Sequence, residues 1–419
     1  MFRIPQGQIK FTAAHRQILK ATVIDEDRPG TILRDFAVFL AYFRERRRSL
    51  TGKQRLKLKD LAALNTRLVH PIVLGLTRPQ QKSYPHINGL YLLLRASGLT
   101  FIDSTGKTPA LVVDEALYDP WQALSPTERY FALLETWLLR GRPQIIGEYD
   151  SAWRIIPETI GGWGYIFLQI PDAGLAIAGN PVMDDRLRFS LGWHNLGLLE
   201  LFGLLDVRHG VPQPGEGWRV ERIFRTPLGD ALLSNLLTGF FNDFDNILAL
   251  EQDGTIQSGV LQPVLQPYFP AWQNVLHPPD AVFREGVYIF KVSLWKDLWR
   301  RIAIPAEQTL GGLAYAIRRS VDFDSDHLEQ FSYQNRYGVW EHVNHPYMDE
   351  GPWTDEVRVG DVPLGIGQAM EYLFDFGDNW EFIIALERID PPDAGMHEAV
   401  ILEAYGEPPE QYPTYEGDW

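Results

Sequence analysis

The stretch that decides how this chain is read runs from Tyr372 to Glu387, YLFDFGDNWEFIIALE. Asp375, Gly377, Asp378 and Trp380 sit in a tight turn signal, because Asp folds its side chain onto nearby main-chain N–H groups and Gly tolerates unusual backbone angles. From Trp380 to Ile389 apolar residues then alternate with others, the period of a strand that buries one face. Upstream, Asp322 to Phe331 reads DFDSDHLEQF. The two segments place carboxylates, one histidine and several aromatics on the loops of one compact domain.

Further outward, VYIFKVSL (Val287 to Leu294) reads as a strand with Tyr288, Phe290, Val292 and Leu294 on one face. LWRRIAIP follows, with Trp299 and Arg300, and then TLGGLAYAI from Thr309 to Ile317, where Leu310, Leu313 and Ile317 make a helix stripe. Strands flanking single helices without a βαβ repeat argue an α+β domain. In order and spacing these pieces resemble the plasmid pRiA4b ORF-3-like family, TnpR-like and mobile-element-associated, over residues 286–419. The resemblance implies an α+β domain and a set of motif positions: Trp299, Arg300, Thr309, Asp324, His327, Asp375, Gly377, Asp378, Trp380 and Glu387. It implies no particular activity. The chain departs from the family pattern in three places. Ala314 and Phe382 stand where relatives carry His, and GEPPEQYP (Gly406 to Pro413) replaces a Cys-containing tail, so functions that need those residues are not carried over.

Charge is unevenly placed. The net charge is −15, yet Glu341 to Trp419 holds 19 acidic and 2 basic residues, which leaves the rest of the chain slightly positive. Within that remainder, Arg44, Arg46, Arg47, Arg48, Lys53, Arg55, Lys57 and Lys59 crowd into one run against a single Glu45. Such asymmetry suggests an anionic partner: duplex DNA held mainly through its phosphates, the chain's own acidic end, or simply a solvated helix end. The chain has no cysteine, which removes disulfides, thiolate zinc sites and cysteine nucleophiles and fits a reducing, cytoplasmic location. No run is long and apolar enough for a membrane span, and the first residues lack a signal-peptide core.

Residues 1–30 read as a leader that ends at the turn Asp27-Arg28-Pro29-Gly30. Ile32, Phe36, Phe39, Leu40 and Phe43 then fall on one face of a helix, and a second helix is expected from Leu58 to Leu68. HINGLYLLLRAS, from His86, reads as a helix stopped by Gly98, and LTFID and ALVVD as two strands around the turn Ser104–Lys107. Ser125-Pro126-Thr127-Glu128 is a capping box that opens another helix. The grammar recurs: NLGLLELFGLLDV is a helix that turns into a strand near Gly203, GWRVERIF is the returning strand, and TPLGDALL opens a further helix. Helices followed by a hairpin outline a winged helix-turn-helix, here in two diverged copies, 31–150 and 151–262. A Pro- and aromatic-rich linker, 263–285, leads to the acidic domain. The expected fold class is thus α+β and multi-domain.

Asp322, Asp324, Asp326 and His327 are the best metal-like cluster, because hard oxygen ligands suit Mg²⁺, Mn²⁺ or Ca²⁺. Asp375, Asp378 and Glu381 would complete it. The competing reading has these side chains capping turns. An EF-hand is excluded by its missing Gly and distal Glu, and phosphate-loop, dinucleotide, nucleophile-elbow and HExxH patterns are absent. Trp299 and Arg300 are expected as a core anchor and an ion pair to an acidic loop. The sequence therefore favours a non-enzymatic DNA-binding or regulatory protein with an acidic interaction module that takes a protein partner and needs no cofactor. Its rivals are a metal-dependent hydrolase or nuclease on the Asp/His cluster, and a scaffold that binds no nucleic acid.

Overall fold

The computed structural model describes residues 4, 8–104, 107–147, 157–187, 191–241, 258–277 and 282–412. The fold is α+β with three sheets among the described residues. It divides into two compact units, Met1–Phe101 with Leu111–Pro278, and Ile102–Ala110 with Pro279–Trp419.

In the first unit α1 (Ala13–Ala21) is capped by Thr12, whose Oγ1 accepts the His15 N–H at 3.1 Å. The stretch expected as a leader thus contains a helix, and Leu19 on it is fully buried. In α2 (Ile32–Arg44) the expected stripe Ile32, Phe36, Phe39, Leu40 and Phe43 is buried throughout. There follow β1 (Arg48–Ser49), α3 (Leu58–Asn65), α4 (Pro85–Ala96), β2 (Thr100–Asp103) and β3 (Ala110–Val113). After α5 (Glu115–Ala123) and α6 (Pro126–Glu135) the order repeats, with α7 (Pro157–Gln169), β4 (Leu175–Ala176), α8 (Pro181–Arg186), α9 (Trp193–Leu201), β5 (Leu205–His209) and β6 (Val220–Arg225). The two small sheets have matching orders, β1-β3-β2 and β4-β6-β5. Gly98 and Gly203 stop α4 and α9 at φ 77° and 70°, a conformation that glycine adopts without a Cβ penalty.

α4 and α9 carry the same pattern, His-x-x-Gly-Leu, as His86-Ile87-Asn88-Gly89-Leu90 and His194-Asn195-Leu196-Gly197-Leu198. The helices pack on each other at those glycines. A Cβ on Gly89 would stand 2.7 Å from Leu198, and one on Gly197 would stand 3.0 Å from the main chain of Pro85 and His86. The contact is reciprocal, and every residue of α4 is buried.

The segment expected as a linker is docked. It forms α10 (Gln262–Leu265) and buries Phe269, Trp272 and Leu276. Trp272 stacks on Phe131 of α6 with centroids 4.2 Å apart. Glu128, the capping-box residue of α6, also accepts the Asn274 N–H at 2.6 Å. The aromatics that suggested an irregular connection fill a core instead.

Among the described residues the second unit is a seven-stranded antiparallel sheet in the order β10-β9-β11-β12-β7-β8-β13 with one α-helix, α11 (Leu310–Ser320). Its strands are β7 (Val287–Trp295), β8 (Leu298–Pro305), β9 (Glu329–Gln334), β10 (Trp340–Asn344), β11 (Ala369–Phe374), β12 (Trp380–Asp390) and β13 (Val400–Tyr405). Tyr288, Phe290 and Val292 share one core with Leu310, Leu313 and Ile317, as the alternation and the helix stripe require.

Candidate functional site

The turn between β11 and β12 is built on Asp375, which is buried and has φ 58°. Its Oδ1 accepts the Gly377 N–H at 2.8 Å, and its carbonyl accepts the Asn379 N–H at 2.7 Å. That closes the loop so that Phe374 pairs with Trp380 across the hairpin. The other carboxylate oxygen, Oδ2, lies 3.4 Å from His327 Nε2. His327 also stands 3.3 Å from Asp326 and 3.1 Å from the Tyr412 hydroxyl. Tyr412 lies 2.9 Å from Asp326 Oδ1 and 3.1 Å from Asp324 Oδ2, and Gln411 donates to Asp324 at 2.8 Å. Asp324, His327 and Asp375 are therefore brought together. The Asp324 oxygens are met by Gln411 and Tyr412, and those of Asp375 by the Gly377 N–H on one side and His327 on the other. Asp322, Asp378 and Glu381 are exposed. Among the described residues no group of three or more His, Cys, Asp or Glu is placed to hold a metal ion.

The other motif positions hold the sheet together. Trp299 stacks on Tyr405 with centroids 5.8 Å apart. Arg300 is buried and donates to the carbonyls of Ser320 and Trp299, both at 3.0 Å, and of Tyr405 at 2.9 Å. This corrects the expected ion pair. Side chains alternate along β8, so it is Arg301, on the opposite face, that meets carboxylates: Glu387 at 2.6 Å, and Glu403. Burial lowers the Arg300 guanidinium from its usual range, while the hydrogen bond to Glu387 raises that of Arg301. Thr309 caps α11 by accepting the Gly312 N–H at 3.3 Å, and Trp380 packs on Phe323 at 4.8 Å.

Residues 287–417 match the family model of the plasmid pRiA4b ORF-3-like proteins. No curated protein matches the chain. The solved structure of MM3350, a protein of unknown function from Methanosarcina mazei Go1, is similar at 26% identity and a TM-score of 0.26, covering 29% of this chain and 69% of that one. In the ORF-3-like segment Ala314 and Phe382, the two positions where the resemblance leads one to expect histidine, are core residues.

The ORF-3-like unit also holds a buried polar network that its sequence did not announce. Glu329 pairs with Arg318 and accepts the Tyr372 hydroxyl at 2.8 Å and the Thr354 hydroxyl at 3.2 Å. Burial, then Glu329, pushes the Tyr372 hydroxyl well above its ordinary range.

In the first unit the basic run is largely engaged by its own chain. Arg44 makes a two-pronged pair with Glu115 at 3.0 Å and lies 3.8 Å over the Tyr118 ring. Arg48 is buried, donates to the Tyr42 carbonyl at 2.7 Å, and stands 3.6 Å from Asp60. Arg55 donates to the Gly147 carbonyl and Lys57 to Ser49, each at 2.6 Å. Arg46, Arg47, Lys53 and Lys59 are exposed.

Sequence reasoning missed a second cluster, at the seam between α4 and α9. Glu200 takes His86 on one oxygen at 2.7 Å and His209 on the other at 2.6 Å, beside a cavity of about 330 Å³ that His70, His86 and Asp206 also line. Burial opposes ionisation of Glu200. The hydrogen bonds from His209 and His86 outweigh it and hold the carboxyl down at about 2. Its hydrogen bond to Glu200 in turn raises the His209 imidazole. The recurring His-x-x-Gly-Leu pattern was the one available signal. Among the described residues, no helix is long and apolar enough to cross a membrane.

Proposed function

We propose that the chain is a non-enzymatic regulatory protein that works by protein contact, in which two winged-helix units are joined through their third helices and followed by an acidic interaction module. The observation that carries this reading is the crossing of α4 and α9. A winged helix that reads DNA lays its third helix in the major groove, and here the whole of α4 is buried. The repeated order of helix, short strand, two helices and two strands, with the same sheet order each time, supports the winged-helix reading. The satisfied Asp/His cluster supports a structural rather than catalytic role for Asp324, His327 and Asp375. The acidic end suits a basic protein surface and repels phosphate.

A second reading keeps DNA as a partner through phosphates alone, and the exposure of Arg46, Arg47, Lys53 and Lys59 favours it. One experiment separates the two: binding of the full chain to a random duplex at low and moderate salt. The protein-contact reading expects no binding at moderate salt, and at most weak binding at low salt that disappears when those four residues become Ala. Tight binding to the duplex that persists at moderate salt would overturn it.

A further inference from the structure

Between the two repeats of the first unit lies a cleft of about 1050 Å³, at the upper end of the size of small-ligand sites. Its walls carry three cations, Arg55, Lys82 and Arg219, against two carboxylates, Asp184 and Glu216, and two tryptophans, Trp193 and Trp218. The two rings meet edge to face with centroids 5.7 Å apart. Trp218 is fixed by donating its Nε1–H to His209 Nδ1 at 3.2 Å, whereas Trp193 is only half-buried and has ring surface to offer.

The charges on the walls are not all used internally. Arg219 is matched by Glu216 at 3.3 Å. Arg55 places one nitrogen on the Gly147 carbonyl, while its Nε is buried without a partner. Lys82 is exposed at the rim. The N-terminal residues of α4 and α9 also line the cleft, and neither helix has a side-chain cap, so both contribute partial positive charge there. At Gly179, Gly215 and Gly217 the main chain borders open space, since an added Cβ would meet nothing within 4 Å.

We propose that this cleft binds a nucleotide, either free or as part of a single strand. A flat base suits the face of Trp193, because base–aromatic stacking tolerates any base. A phosphate suits Arg55 and Lys82, because charge-assisted hydrogen bonds to phosphate are short and strong. An acidic peptide would use the cations but leave the exposed indole unmatched. The site is separate from the protein-contact role proposed above and does not depend on it.

The test is titration of the full chain with AMP, ATP, inorganic pyrophosphate and an oligothymidylate of about ten nucleotides, read by tryptophan fluorescence and calorimetry. Saturable binding of a nucleotide, tighter than that of pyrophosphate, is expected. Lys82→Glu should weaken it by about tenfold, and Trp193→Ala should remove its advantage over pyrophosphate, with thermal midpoints near that of the parent. Preference for the oligonucleotide identifies a strand as the source, and preference for AMP or ATP a free nucleotide. The absence of saturation by any nucleotide at millimolar concentration, or equal affinity in folded Lys82→Glu, overturns the proposal.

Discussion

Asp375 carries its loop with one oxygen and its link to His327 with the other. Truncating it leaves the Gly377 N–H without an acceptor and removes the neighbour of His327. Asp375→Ala should therefore lower stability by about 1–3 kcal/mol, seen as a lower denaturant midpoint. Treating the parent protein with a chelator should leave its thermal midpoint unmoved, because the oxygens of Asp324 and Asp375 already have partners. A midpoint that falls with chelation would restore the metal reading. The residue types of this loop were legible because an Asx turn is local: Asp375 and Gly377 are two apart, and the side chain needs nothing else. Glu329 was not legible, since its partner Tyr372 arrives from a strand 43 positions away. The partner of Arg44 was not legible for the same reason, because Glu115 lies 71 positions off.

Among the elements, the crossing of α4 and α9 makes the sharpest demand. Gly197→Val would force side-chain atoms toward the main chain of Pro85 and His86, and overpacking of that kind costs about 1–3 kcal/mol. Its melting transition should fall, and an unchanged transition would show that the helices part easily. The seam is also sensitive to pH. His209 has a raised pKa in the folded state, so its contribution is present below the ordinary value of 6.5 and fades as pH climbs through the raised one. Glu200 is depressed, so its contribution is present above 4.5 and fades as pH falls toward about 2. Stability from this cluster should thus be greatest between those ordinary values. Glu200→Gln should flatten the pH profile of the melting temperature there, and a profile of unchanged shape would remove the cluster's role. Caps, helix stripes and the two hairpins could be read along the chain because their periods are short. The crossing itself could not, since glycine in a helix gives no hint of what approaches it.

For the whole molecule, the distribution of charge sets the response to salt. Carboxylates crowded between Glu341 and Trp419 repel one another, and screening over about 10 Å at 0.1 M relieves that repulsion. Scanning calorimetry should therefore show the transition that belongs to the second unit moving upward as salt is added from low ionic strength. A salt-independent transition would mean that the repulsion is already offset within the fold. This imbalance is plain from composition alone, whereas the division into units is harder to place, because Trp272 and its neighbours look like a connection and pack as core. The reciprocal contact between α4 and α9 has the form of a twofold interface between identical subunits, yet both halves lie on one chain. Two separate chains meeting in this way would drift apart on dilution. Tethered halves meet within one molecule, so the encounter does not depend on how many copies a cell contains.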